Sequence, residues 1–109
     1  MKNVVVLGKG KLAIQICDWF LNSPDYNLIY VVPVSPSPTW TESLPNWCIQ
    51  RNINWVQSGD YKHLPDFEID LAFSCFYDKI IKKDFINKCG RILNLHNSPL
   101  PHYRGVSLI

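Results

Sequence analysis

Near the C-terminus the sequence reads NLHNSPLPHYRG, which gathers Asn94, His96, Ser98 and Arg104 beside two prolines and a glycine, directly after an apolar run. On an extended strand, residues two apart project to one face, so Asn94 and His96 emerge side by side where RILNLH ends. A carboxamide next to an imidazole suits acyl-group transfer. Asn94 can donate a hydrogen bond to a carbonyl oxygen as negative charge builds on it, while His96 can exchange the proton of an attacking amine. The same residue types also shape turns and decorate surfaces, so N-x-H by itself leaves both readings open.

A second group of residues able to do chemistry lies near the N-terminus. Gly8-Lys9-Gly10-Lys11-Leu12-Ala13 fits G-x-G-x-x-A between an apolar run and a helical pattern, where helix N-terminal amides can rest on a pyrophosphate. A nicotinamide dinucleotide would require an acid about 20 residues on, at the end of the second strand. That strand ends in Val34-Ser35-Pro36, and Asp25 stands at its wrong end. Two readings remain: Gly8, Lys9, Gly10 and Lys11 hold a phosphate-bearing substrate, or they form a tight strand-to-helix turn with exposed lysines.

The elements that must position these groups alternate. NVVVL is a short β-branched strand, and KLAIQICDWFL sets Leu12, Ile16, Phe20 and Ala13, Cys17 at helical spacing. NLIYVVPV reads as a second buried strand. The proline-rich SPSPTWTESLP is an extended loop leading into a helix over 44–52, and NWVQ is a weak third strand. IDLAFSC, 69–75, is a buried strand that the polar Ser74 only slightly interrupts. A helix is expected from Asp78 through KIIKKDFINKC, with Gly90 as its C-cap, followed by the strand RILNL. The pattern predicts an α/β, Rossmann-like domain over 1–109, a mostly parallel sheet with helices on both faces. The Gly8 loop, the 76–79 loop and Asn94 would then all open onto the carboxyl edge of one sheet.

A chain of 109 residues with 47% apolar composition supports one modest core. Its 11 basic and 9 acidic residues leave a net charge of +2, which argues against a nucleic-acid surface. Four cysteines without C-x-x-C spacing fit a reduced, cytoplasmic protein, and the N-terminal apolar run is too short for a membrane span or a secretory signal.

The full string from Asn94 to Gly105 resembles the N-x-H-x-S-x-L-P-x-[YFW]-R-G signature of the formyltransferase family, with Pro99 in place of the more usual leucine. The resemblance implies 10-formyltetrahydrofolate as one-carbon donor, Asn94 and His96 as catalytic residues, and Ser98 and Arg104 in the loop that follows. It also implies that Phe76, Tyr77, Lys79, Ile80 and Ile81 bind the pterin ring, although Asp78 stands where glycine is common. A third catalytic residue, an aspartate some thirty-odd positions past the histidine, is expected as well. The 109 residues end first, so the chain is expected to be a C-terminally incomplete N-terminal part, with an exposed sheet edge favouring self-association and little turnover alone.

The opening GKGKLA is similar to sugar-nucleotide N-formyltransferases, which implies a nucleotide-linked amino-deoxysugar as acceptor, with Lys9, Lys11 and Arg104 near its pyrophosphate. Glycinamide ribonucleotide, methionyl-tRNA, or no acceptor at all in an inactive folate- or nucleotide-binding module are the alternatives. Trp40, Trp47 and Trp55 surround the proline-rich loop, either as an aromatic shelf for a ring or as packing. His63 and His102 have no converging partners in the sequence, so no metal is expected.

Overall fold

The computed structural model describes residues 1–37, 42–95 and the backbone of 106–108. The elements run β1 (Lys2–Gly8), α1 (Gly10–Asn22), β2 (Tyr26–Pro33), α2 (Leu44–Gln50), a 3-10 turn (Tyr61–His63), β3 (Ile69–Cys75), α3 (Lys83–Lys88), β4 (Cys89–Leu95) and β5 (Val106–Leu108). They form one sheet of order β2-β1-β3-β4-β5, in which β1 pairs in parallel with β2 and β3, β3 with β4, and β5 runs antiparallel to β4. The expected mostly parallel α/β sheet is therefore present. The edge at RILNL is covered only in part: β5 pairs Leu93 with Leu108, Asn94 with Ser107 and Leu95 with Val106.

The sheet is buried on both faces, which is why its central strands read as continuous apolar runs. Val4 and Val6 of β1 point into a core with Ala13, Cys17 and Phe20 of α1 and Trp47 and Cys48 of α2. Val5 and Leu7 point the other way, into a core with Val32, Tyr61, Ile92 and Phe85 of α3. All four of these β1 side chains are 0% exposed, so each contributes roughly 1.5–3 kcal/mol of burial.

Three expected elements differ. NWVQ makes only a single parallel bridge, Val31 to Trp55, because the chain there is passing around the outer edge of β2 on its way to the opposite face. The helix expected from Asp78 begins five residues later, at Lys83, since the backbone before it is held by hydrogen bonds to Tyr61 described below. Gly90 is not a helix cap but a residue of β4: a Cβ there would lie 2.7 Å from the Asp70 carbonyl oxygen, so glycine permits β4 to start beside β3.

No described helix is long and apolar enough to cross a membrane. All four cysteines are free and buried. Burial pushes Cys75 and Cys89 from an ordinary 9.0 up to about 11 and Cys48 up to about 12, and moves Cys17 in the same direction. Above pH 9 the unfolded thiols release protons that the folded ones keep. Stability is thus full below pH 9 and falls as pH rises toward 11, by up to about 1.4 kcal/mol per pH unit for each thiol. Thermal melts are expected to change little from about pH 7 to 8.5 and to drop by roughly 20 °C or more by about pH 10.5. An unchanged midpoint across that range would mean that the thiols ionise alike in both states.

Candidate functional site

The carboxyl ends of β2, β1, β3 and β4 lie in one row, stitched by three backbone hydrogen bonds beyond the ladders themselves. Val34 N–H donates to Gly8 O at 2.9 Å, Lys9 N–H to Cys75 O at 3.2 Å, and Phe76 N–H to Leu95 O at 2.9 Å. The chain leaves β1 toward β2 and returns on the far side of β1 to form β3, so strand order reverses between β1 and β3. In open α/β sheets ligands bind at such a reversal, outside the carboxyl ends of the strands. Gly8, Lys9, Phe76 and Asn94 all stand on this edge, as the alternation of elements predicts.

Asn94 is the sixth residue of β4 and is half-buried. It pairs in register with Ser74 of β3, which pairs with Leu7 of β1. Leu7 and Ile92 belong to the core under α3, so Asn94 and Ser74 share that face of the sheet rather than the α1 face. Ser74 is only 2% exposed, the one buried polar side chain of the described core, and it stands beside Asn94 one strand over. The sequence carries a signal for it, the lone hydroxyl in IDLAFSC, but not its adjacency to Asn94. His96, Ser98 and Arg104 lie outside the described residues, as do Trp40 and His102.

The segment after β3 is fixed at both ends and exposed between them. Phe76 adopts a left-handed conformation, φ 57°, that turns the chain off the strand, and its ring is half-buried against the α1-side core. The Tyr77 hydroxyl donates to Gly59 O at 2.6 Å and accepts from Tyr61 N–H at 3.0 Å, while the Tyr61 hydroxyl accepts from Lys82 N–H at 2.9 Å. Two tyrosines thus clamp residues 77 and 82 onto the Gly59–Tyr61 turn. Burial pushes the Tyr77 phenol upward, so it keeps its donated proton at neutral pH. Between the anchors Asp78 and Lys79 are exposed and Ile80 is 84% exposed, whereas Ile81 packs on the α3-side core. Of the five residues expected at the pterin site, Tyr77 has its side-chain oxygen committed to the fold, Phe76 is tied to the strand-end row, and Lys79 and Ile80 are exposed. Tyr61 was not legible as part of this arrangement. Tyr77→Phe leaves a buried carbonyl and amide without their partner and is expected to lower unfolding free energy by about 1–3 kcal/mol, read from urea denaturation. It should also raise hydrogen exchange at 77–82, and unchanged exchange there would show that the clamp is not what orders the segment.

The glycine loop is partly used by the fold. Gly8 O and Lys9 N–H tie β1 to its neighbours, as above, which leaves the amides from Gly10 onward at the start of α1. Lys9 is half-buried, Lys11 is exposed, and the first turn of α1 contains no acid that would repel an anion. The tryptophans divide. Trp47 is 5% exposed, packed in the α1-side core with the Arg51 guanidinium 4.9 Å from its ring centre, so packing is its role. Trp55 is half-buried and lines a cavity at the end of β2. His63 Nδ1 and Ser58 Oγ share a 2.6 Å hydrogen bond inside the 58–63 turn. Among the described residues no three His, Cys, Asp or Glu converge as metal ligands.

A family model described as formyl transferase matches residues 48–109, more than half of the chain, and that span includes β3, the 76–82 segment and β4 with Asn94. The Gly8 loop and β2 precede it. No curated protein matches the chain.

Proposed function

Because this chain belongs to the formyl transferase family, we propose that it transfers a formyl group from 10-formyltetrahydrofolate to the amine of a nucleotide-linked amino-deoxysugar, working in the cytoplasm. The observation that carries this reading is Asn94 at the carboxyl end of β4, in the row of strand ends that also holds the Gly8 loop and Phe76. The donor, when bound, supplies an electrophilic formyl carbon. The exposed stretch at 78–80, flanked by the half-buried Phe76 ring and held by the tyrosine clamp, fits a flat ring with polar edges; Phe76, Lys79, Ile80 and Ile81 would hold it.

Asn94 offers its side-chain N–H to the formyl oxygen, stabilising charge that grows as the acceptor nitrogen approaches. His96 takes the proton that the amine sheds and can hand it to the donor nitrogen, which leaves as its bond to the formyl carbon breaks. Ser98 and Arg104 border the acceptor. Gly10, Lys9 and Lys11 meet its phosphates through the α1 N-terminus and two cations, next to Gly8. The small net charge of +2 gives tRNA little reason to bind, which favours a small acceptor over methionyl-tRNA.

The reading is tested by incubating the protein and 10-formyltetrahydrofolate with nucleotide-linked amino sugars, glycinamide ribonucleotide and methionyl-tRNA, following formamide formation by mass. A formylated sugar is the expected product. Formylation of either other amine alone overturns the acceptor, and folate binding without formylation of any amine leaves a binding module in place of the enzyme.

A further inference from the structure

A cavity beside the carboxyl end of β2 has no part in the site described so far. It is a half-open hollow of about 250 Å³ lined by Pro33, Val34, Pro45, Trp55 and Val56 together with the polar Gln57. These walls are held by the fold. Trp55 is pinned at the outer edge of β2 by two backbone bonds that flank it, Val31 N–H to Asn54 O at 3.0 Å and Val56 N–H to Val31 O at 2.9 Å. The turn at Gly59 presses on Ser35, another lining residue, so closely that a Cβ there would lie 2.8 Å from the Ser35 side chain. NWVQ, which forms no ladder, therefore serves as a cavity wall.

We propose that this cavity takes the base of a nucleoside diphosphate whose phosphates run along Gly8–Lys11; the assignment rests on the nucleotide-linked acceptor proposed above. Size is the first argument. Whole small ligands occupy roughly 300–1,000 Å³, so about 250 Å³ holds a ring system and little more, and the rest of the molecule must lie outside. Position is the second: Val34, which lines the cavity, donates its N–H to Gly8 O at 2.9 Å, so this lining is one hydrogen bond from the glycine loop that precedes α1. Chemistry is the third. An indole and two prolines offer flat apolar surface for stacking, and a carboxamide with both donor and acceptor matches the edge of a nucleobase. The end of β2, Val34-Ser35-Pro36, carries no acid to bind a ribose 2′-hydroxyl, so ribose and deoxyribose nucleotides are expected to bind alike.

Titration of the ¹⁵N-labelled protein with UDP, dTDP and inorganic pyrophosphate tests the assignment. Both nucleotides are expected to shift the Trp55 indole and Gln57 side-chain signals with one common saturation curve, while pyrophosphate moves only the amides of 8–12. Gln57 is exposed, so Gln57→Ala leaves the fold intact; it should weaken UDP about tenfold and leave pyrophosphate unchanged. Nucleotide binding with Trp55 and Gln57 unmoved, or unaltered UDP affinity in Gln57→Ala, overturns the cavity as the base site. The two proposals fail differently. A nucleotide-linked amino sugar formylated equally well by Gln57→Ala and Trp55→Phe removes the cavity and keeps the acceptor. Reduced folate bound with no affinity for any nucleotide removes both.

Discussion

Asn94→Ala is expected to lower formyl transfer by about 100- to 1,000-fold, the loss typical of removing one preorganised donor to a developing oxyanion. The loss should fall on kcat and leave KM for the acceptor within a few-fold, because the carboxamide strengthens its bond only as charge grows on the formyl oxygen. Asn94→Asp should be worse still, since it replaces a donor with an anion aimed at the same place. Neither change needs to harm the sheet. Asn94 is half-buried, one residue short of the end of β4, and its ladder bonds are made by backbone. Single-turnover formylation by the full gene product, with melting followed in parallel, is the measurement. Transfer within tenfold of the native rate in a folded Asn94→Ala protein would remove Asn94 from the chemistry and take the proposed mechanism with it.

What the sequence showed of this arrangement was the part governed by local periodicity. IDLAFSC was legible to the residue because a central strand packed on both faces reads as a mostly apolar run, and 69–75 is β3. KLAIQICDWFL was legible because Ala13, Cys17 and Phe20 recur on the one side of α1 that is buried. Asn94 was placed on the edge by the same logic, as a polar residue where an apolar strand ends. KIIKK misled because its pattern is helical, yet Ile80 is 84% exposed and the backbone there is spent on Tyr61. That bond joins residues 21 apart in sequence, and the Tyr77 bond to Tyr61 joins residues 16 apart, so no window of a few residues contains either cause. Gly90 misled for a related reason: a glycine after a helical pattern reads as a cap, whereas its use is to let β4 pass the Asp70 carbonyl. The cavity at β2 was unreadable because its walls come from β2, α2 and the Trp55 passage, three stretches brought together only by the crossing of the sheet.

Gly8→Ala is expected to cost about 3–5 kcal/mol, at the upper end for a single methyl, and to lower the melting temperature by roughly 15–30 °C. Two independent effects act there. The glycine has φ +151°, a conformation that side chains rarely adopt, and a Cβ there would collide with the carbonyl oxygen of Cys75. That oxygen accepts the Lys9 N–H at 3.2 Å, and the neighbouring Gly8 oxygen accepts the Val34 N–H at 2.9 Å, so neither partner can retreat without breaking the row of bonds across the carboxyl edge. Backbone, unlike the tip of a flexible side chain, has no alternative rotamer to relieve the contact. The strand itself should survive, since Val4 to Leu7 remain fully buried on both faces. The damage is expected at the ends of β1, β2 and β3: hydrogen exchange should rise at Lys9, Val34 and Phe76 well beyond the rise in the strand interiors. Gly10→Ala provides the contrast. Gly10 also has positive φ, 85°, but heads α1 rather than abutting β3, so strain without the clash should cost about 1–2 kcal/mol. Equal destabilisation by the two substitutions would mean that backbone conformation alone, and not the approach of β1 to the Cys75 carbonyl, fixes glycine at the edge where the site is built.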